Sequence, residues 1–162
     1  MLTKIIHIDD FFADDVTEIY NTVATLQFTE HEFGNEIENF SLVFPDIENV
    51  FSRVLNEPIS LYENRSGIFR EPYGFIHFEG FNYVTDWCLA IAIKETTFNV
   101  FEHHSGARTA LDEYRHNYRD LFAWDLKTNI VMKPNNCLFF RPWLFHSFIG
   151  GLTQMYYLKS EK

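Results

Sequence analysis

The sequence predicts a mainly β protein of the α+β class, an antiparallel sandwich or barrel that carries helices on one side. Apolar residues recur at helical spacing only in the first third of the chain. The remainder consists of short runs rich in aromatic and β-branched residues, separated by turn residues and with no helix between most of them. A chain of 162 residues has the usual size of one domain, so we expect residues 1–162 to form a single domain.

Two helices are expected near the N-terminus. In residues 11–26 the apolar side chains recur every three or four positions, and Asp9 and Asp10 offer a helix cap. In residues 46–55 the apolar side chains fall on one stripe, with Pro45 just before the start and Pro58 just after the end. Both segments therefore predict amphipathic helices that bury one face.

The rest of the chain is expected to form short strands. A turn is expected at residues 64–67, and the polar and aromatic mixture of residues 109–122 fits either a surface loop or a short helix. The predicted strands are residues 4–8, 59–63, 74–79, 87–94, 99–103, 129–133, 137–140, 147–149 and 153–159.

Composition narrows the possible partners and location. Thirteen Lys and Arg stand against 23 Asp and Glu, and a net charge of −10 repels the phosphate backbone, so nucleic acid is not expected to bind. No apolar run is long enough to cross a bilayer, and the first residues lack the pattern of a signal peptide, which predicts a cytoplasmic protein. Cys88 and Cys137 lie in apolar runs without metal-ligand spacing and are expected to pack as small hydrophobic residues.

His77, Glu79 and His146 are the candidate metal ligands. Residues two apart on a strand face the same side, so the imidazole of His77 and the carboxylate of Glu79 can point at one centre. A second imidazole from a distant strand would complete the two-histidine, one-carboxylate set that leaves coordination positions of Fe(II) open. Each histidine taken alone is more often a hydrogen-bonded core residue than a ligand, but a carboxylate among phenylalanines is costly to bury without a partner.

These residues resemble the Fe(II)- and 2-oxoglutarate-dependent oxygenases of the prolyl-hydroxylase-like kind, including those of phage and marine microbes. His77-Phe-Glu79 is similar to the family's His-x-Asp/Glu pair. The segment 133–147, Lys-Pro-Asn-Asn-Cys-Leu-Phe-Phe-Arg-Pro-Trp-Leu-Phe-His-Ser, is similar to the one that carries its distal histidine. Segments 86–94 and 98–106 resemble its central strands. The resemblance implies a double-stranded β-helix, also called a jelly roll, over nearly the whole chain.

The resemblance also implies an activity and its cofactors. His77, Glu79 and His146 would hold Fe(II), 2-oxoglutarate would be the cosubstrate, and hydroxylation of a C–H bond would be the default reaction. The sequence departs from the family in having Glu79 where most members have Asp. It also has no basic residue about ten positions after His146, where the family usually binds the far carboxylate of 2-oxoglutarate. The alternative residues for that role are Lys159, Lys94, Tyr62 and Arg141.

Two other classes of function remain open at this stage. A jelly-roll protein can keep the fold as a non-catalytic binding or structural protein, and the missing basic residue favours that alternative. A cupin-like metalloenzyme could use the same metal without 2-oxoglutarate. The substrate would be either a small molecule or a protein side chain.

Overall fold

The computed structural model describes residues 4–13, 16–31, 34–38, 46–62, 67–71, 76–79, 86–110 and 120–161. These residues form a curled antiparallel sheet with two helices packed on one face, which confirms the predicted fold class. No helix in the described ranges is long and apolar enough to cross a membrane. In chain order the elements are β1 (Ile5–Ile8), α1 (Thr17–Ala24), β2 (Thr29–His31), β3 (Gly34–Glu38), α2 (Ile47–Leu55), β4 (Ile59–Leu61), β5 (Gly67–Glu71), β6 (Trp87–Lys94), β7 (Thr96–His103), a 3₁₀ turn (Leu121–Ala123), β8 (Trp124–Met132), β9 (Cys137–Phe140) and β10 (His146–Ser160).

Strand β10 connects the two sheets of the fold. Its first residues, His146 to Ile149, pair with β7, which in turn pairs with β8 to form the smaller sheet. The same strand pairs with β5 from Gly150 onward and with β6 from Leu152 onward, and its end pairs with β4. The larger sheet has the order β1-β9-β6-β10-β5-β3-β2. The sequence predicts two strands here, whereas the structure has one strand that bends at the glycines.

Two apolar clusters lie on the two faces of β6. On one face, large side chains such as Trp87 and Leu89 join the helices in an outer cluster that includes Phe51 of α2. On the other face, the small side chains of Cys88, Ala90 and Ala92 belong to an inner cluster that lies between the two sheets. Rings of both sheets complete the inner cluster: Phe98, Phe140, Phe148 and Tyr157. The small residues of the central strand thus oppose large rings from its neighbours, as close packing requires.

Helix α2 lies where the sequence predicts it, but helix α1 is shorter than predicted. The sequence predicts a helix over residues 11–26 capped at Asp9 and Asp10, whereas the helix runs from Thr17 to Ala24. Phe11 and Phe12 are held instead by Asn135, which accepts hydrogen bonds from both amides through its backbone and side-chain oxygens and donates one to the Phe12 carbonyl. These long-range bonds override the local helical pattern, so the predicted start was wrong.

Several strand predictions also differ from the structure. Strands β2, β3 and β5 were not predicted, because β2 and β3 are short and polar and β5 begins at Gly67, a residue that the pattern assigns to a turn. Strands β7 and β8 begin earlier than predicted, and β4 ends earlier. Of the predicted strand 74–79, residues 74 and 75 lie outside the described residues, and residues 76–79 pair with β10 through a single bridge. Residues 111–119 of the ambiguous segment also lie outside them, and residues 121–123 form the 3₁₀ turn.

The bend of β10 generates a stability prediction. Gly150 and Gly151 have φ of 70° and 68°, a region that costs about 1–2 kcal/mol for an L-residue. A Cβ at Gly150 would meet open space, whereas one at Gly151 would overlap the Glu95 carbonyl oxygen and lie 2.6 Å from Thr96 Cβ. We expect Gly150→Ala to lower the free energy of unfolding by about 1–2 kcal/mol and Gly151→Ala by about 3 kcal/mol or more. Urea unfolding of both variants checks this, and equal losses would contradict it.

Candidate metal centre

Residues 76–79 bring His77 and Glu79 to the start of β10. The backbones of His77 and His146 exchange two hydrogen bonds of 2.8 Å, and the Glu79 amide donates to the Pro142 carbonyl at 2.8 Å. The extended backbone alternates as predicted. Ile76 and Phe78 pack in an apolar cluster outside the smaller sheet, while the side chains of His77 and Glu79 point to the opposite side and toward His146.

His146 is fully buried, and its proton can be assigned. Its Nδ1 lies 2.8 Å from the Leu144 carbonyl oxygen. A carbonyl oxygen only accepts, so Nδ1 carries the hydrogen and Nε2 of the neutral ring presents a lone pair. The rings of Phe98, Phe140 and Phe148 surround the imidazole at centroid distances of 5.4, 4.8 and 5.7 Å. The protein thus fixes both the orientation and the tautomer of a metal-competent imidazole.

The three side chains have the spacing of metal ligands. Glu79 Oε1 lies 3.2 Å from His146 Nε2 and 3.4 Å from His77 Nε2. Ligands about 2.1 Å from one ion and at right angles to each other would be about 3.0 Å apart. One ligand atom from each of the three residues lies within 4.8 Å of the other two. The arrangement therefore fits one ion bound on a single face by all three side chains.

The electrostatics of the cluster also fit a cation. Burial disfavours the charge of Glu79, but the imidazoles of His146 and His77 outweigh it and hold the pKa of Glu79 well below its usual range. Burial, reinforced by the charge of His77, lowers the pKa of His146, although Glu79 and the Leu144 carbonyl oppose that shift. The hydrogen bond that lowers the pKa of Glu79 has His146 Nε2 as its donor, which requires a protonated ring. When the ring is neutral and its hydrogen is on Nδ1, Nε2 and Glu79 Oε1 are two acceptors 3.2 Å apart, and a cation between them takes the place of that proton.

Tyr157 contacts the triad and was missed by the sequence analysis. Its hydroxyl donates a hydrogen bond of 2.7 Å to Glu79 Oε2, the oxygen that does not face the imidazoles. Tyr157 lies on β10 in the inner cluster, on the same face as Met155. Because residues two apart on a strand share a face, the sequence places Tyr157 on the same face as Lys159. Nothing in the sequence indicates that the Tyr157 hydroxyl reaches Glu79.

Two of the four predicted cosubstrate residues lie near Tyr157. The Tyr62 amide donates to the Tyr157 carbonyl at 2.8 Å, and its side chain packs against the inner cluster. Lys159 is exposed, pairs with Ser60 of β4 and follows Tyr157 by two residues on the same face of β10. The structure thus brings Tyr62 and Lys159 to the side of the sheet that carries the triad.

The other two candidates lie elsewhere. Cys88 pairs with Tyr157, but Lys94 pairs with Leu152 and is exposed at the opposite end of β6, six residues or about 20 Å from Cys88. Arg141 stacks on the outer-cluster residue Trp87, with its guanidinium carbon 3.7 Å from the ring centroid. It also donates to the Asp86 carbonyl at 2.7 Å. These contacts place the Arg141 side chain on the outer side of the sheet, away from the triad.

Comparison with solved structures places this architecture among known enzymes. The epimerase SnoN of nogalamycin biosynthesis, in complex with Fe³⁺, α-ketoglutarate and nogalamycin RO, superimposes with a TM-score of 0.65 at 9% identity over 98% of this chain and 80% of SnoN. AviO1 from Streptomyces viridochromogenes gives 0.64 at 11% identity over 98% of this chain and 90% of its own. HygX from Streptomyces hygroscopicus, with nickel, 2-oxoglutarate and hygromycin B bound, gives 0.59 at 10% identity over 98% and 84%.

This chain has the double-stranded β-helix fold of these enzymes. The fold that the family resemblance implies is therefore confirmed. No protein-family profile and no curated protein matches the sequence. At such low identity the similarity shows the fold alone. The chemistry depends on which side chains this chain places in that fold.

The geometry of the triad predicts metal-dependent stabilisation. Co(II) at 100 times its dissociation constant should raise the free energy of unfolding by about 2.7 kcal/mol. The variants Glu79→Gln and His77→Ala should lose this increment, because each removes one of three ligands. Thermal unfolding with and without Co(II) measures it.

A matched control is available on the surface. His104 Nε2 lies 3.3 Å from Asp125 Oδ1, a distance similar to that between His77 and Glu79, but both side chains are exposed. The variant His104→Ala should keep the full increment from Co(II). An undiminished increment in Glu79→Gln or His77→Ala would remove the assignment of these residues as ligands.

Proposed function

We propose that the protein is an Fe(II)- and 2-oxoglutarate-dependent dioxygenase that hydroxylates a small molecule. The observation that carries the proposal is the convergence of His77, Glu79 and His146, two imidazoles and one carboxylate, at one point of a double-stranded β-helix. Two nitrogen donors and one oxygen donor on a single face are typical of non-haem Fe(II) oxygenases. SnoN and HygX, which share the fold, were crystallised with a metal ion and this cosubstrate.

Bound Fe(II) would supply the activation of O₂ and the two-electron chemistry that side chains cannot provide. In the overall reaction one oxygen atom of O₂ enters succinate as 2-oxoglutarate loses CO₂, and the other becomes the hydroxyl of the product. The residues of this chain bind and orient the reactants. His77, Glu79 and His146 hold one face of the centre, while the Leu144 carbonyl keeps the His146 proton away from it. The three phenylalanine rings around His146 exclude water from that side.

We assign the far carboxylate of 2-oxoglutarate to Lys159, with Tyr62 as a second contact. Both residues lie on the face of the sheet that carries Tyr157, which contacts Glu79 directly. A dicarboxylate that enters a largely apolar site needs a charged partner, and an ammonium group supplies one. Lys94 lies too far along β6 for this role, and Arg141 is engaged by Trp87 and Asp86.

The substrate is assigned only to the class of small molecules. Two structures with the same fold contain small molecules, nogalamycin RO in SnoN and hygromycin B in HygX. The net charge of −10 disfavours nucleic acid, whose phosphates would be repelled.

An anaerobic titration tests the proposed function. Adding 2-oxoglutarate to the Fe(II)-loaded protein should produce a visible metal-to-ligand absorption band, because chelation places the keto group on the metal. Metal binding without the band would overturn the proposal in favour of a cupin-like metalloenzyme. No metal binding would overturn it in favour of a non-catalytic jelly-roll protein. Succinate release in the presence of O₂ then provides the readout for a screen of small-molecule substrates.

The cosubstrate assignment is tested by a pair of lysine variants. Lys159→Met should raise the dissociation constant of 2-oxoglutarate about 10- to 150-fold, because a hydrogen bond to a charged group contributes about 1.5–3 kcal/mol. Lys94→Met removes the same charge at the far end of β6 and should leave that constant within about twofold of the wild-type value, well below the effect of losing such a bond. The amplitude of the absorption band as a function of 2-oxoglutarate concentration measures both. An effect of Lys94→Met as large as that of Lys159→Met would contradict the assignment.

A further inference from the structure

We propose that Tyr157 is a positioning residue that holds Glu79 so that a single carboxylate oxygen faces the metal. The inference rests on the proposed metal centre and assigns a role to a residue outside the ligand set. It is carried by the hydrogen bond of 2.7 Å from the Tyr157 hydroxyl to Glu79 Oε2. The other oxygen, Oε1, lies between His77 Nε2 and His146 Nε2.

The direction of this hydrogen bond follows from the chemistry of its partners. An ionised carboxylate only accepts hydrogen bonds, so the phenol must donate. A phenol that donates to Oε2 occupies one lone pair of that oxygen and holds it in place, which makes chelation through both oxygens less favourable. Glu79 then occupies one coordination position, and the positions that a chelating cosubstrate and O₂ need stay open.

A glutamate needs such a partner more than an aspartate does. The extra methylene adds a rotatable bond, and fixing it costs conformational entropy that binding must offset. The structure fixes the residue at both ends. The Glu79 amide donates to the Pro142 carbonyl, and Tyr157 holds the carboxylate. The longer side chain is thereby restrained in one orientation.

The position of Tyr157 in the fold makes this restraint rigid. Tyr157 is 7% exposed and belongs to the inner cluster. It lies on β10, the strand that also begins with the ligand His146, and its backbone pairs with Cys88 of the central strand β6. Strand β10 therefore carries both residues: His146 where it pairs with the smaller sheet, and Tyr157 where it pairs with the larger sheet.

The test compares metal binding in Tyr157→Phe with that in the wild type. The variant keeps the packed ring and removes only the hydroxyl, so the fold is expected to be retained. The dissociation constant of Co(II) should rise about 10- to 100-fold, the range found when an outer-shell partner of a metal ligand is lost. The d–d absorption of bound Co(II) should change, because a chelating Glu79 takes a coordination position that water otherwise fills. Tyr156→Phe removes a hydroxyl from the opposite face of β10 and should change neither quantity.

A double-mutant cycle separates positioning from a general structural role. Glu79→Asp shortens the side chain by one methylene and withdraws the carboxylate from Tyr157. In that background Tyr157→Phe should change the Co(II) dissociation constant by less than about twofold, because the interaction is already lost. Wild-type affinity in Tyr157→Phe, or an equal loss in both backgrounds, would overturn the inference. If the wild-type protein fails to bind Co(II), the proposed metal centre itself is wrong, which is a distinct outcome.

Discussion

The buried carboxylate of Glu79 is the constraint around which the inner side of the fold is organised. Its side chain is 15% exposed among aromatic residues, and a charge in such surroundings is costly unless it is paired. The fold surrounds it with an imidazole from the same extended segment, an imidazole from the start of β10 and a phenol from the end of β10. The positions of His146 and Tyr157 relative to each other depend on where β10 bends between the two sheets, at Gly150 and Gly151. The geometry of the candidate centre and the closure of the fold are therefore set by the same strand.

The fold could be predicted where local pattern and tertiary environment agree. Strand β6 and helix α2 match their predictions, because an unbroken apolar run between two packed layers and a single apolar stripe are both visible in the sequence. Helix α1 begins later than predicted because Asn135, distant in the chain, binds the backbone of Phe11 and Phe12. Strands β2, β3 and β5 form the edge of the larger sheet beyond β10, and their pairing partners are not encoded by any local apolar pattern.

The candidate site also combines features that the local sequence predicts with features that only distant contacts determine. The shared face of His77 and Glu79 follows from the period of a strand, so it could be predicted from their spacing alone. The arrival of His146 beside them was implied by the family resemblance, and the structure places it there through a backbone bridge to His77. The role of Tyr157 could not be predicted, because it depends on the register between β10 and β6 and on a hydrogen bond across the interior. Among the cosubstrate candidates, the sequence could not distinguish the two ends of β6, whereas the register separates Lys94 from Tyr157.

Tyr157 occupies the part of β10 where the resemblance to the oxygenases implies a basic residue. An inward-facing basic residue about ten positions after His146 would lie at or beside the position that Tyr157 occupies, eleven residues after His146. The hydroxyl there is engaged by Glu79, which the sequence has in place of the shorter Asp. The next residue of β10 on the same face is Lys159, two positions further along the strand. We therefore propose that Glu79, Tyr157 and Lys159 belong to one arrangement, in which the longer carboxylate is held by the phenol and the cosubstrate contact is shifted along β10 to Lys159 instead of lost.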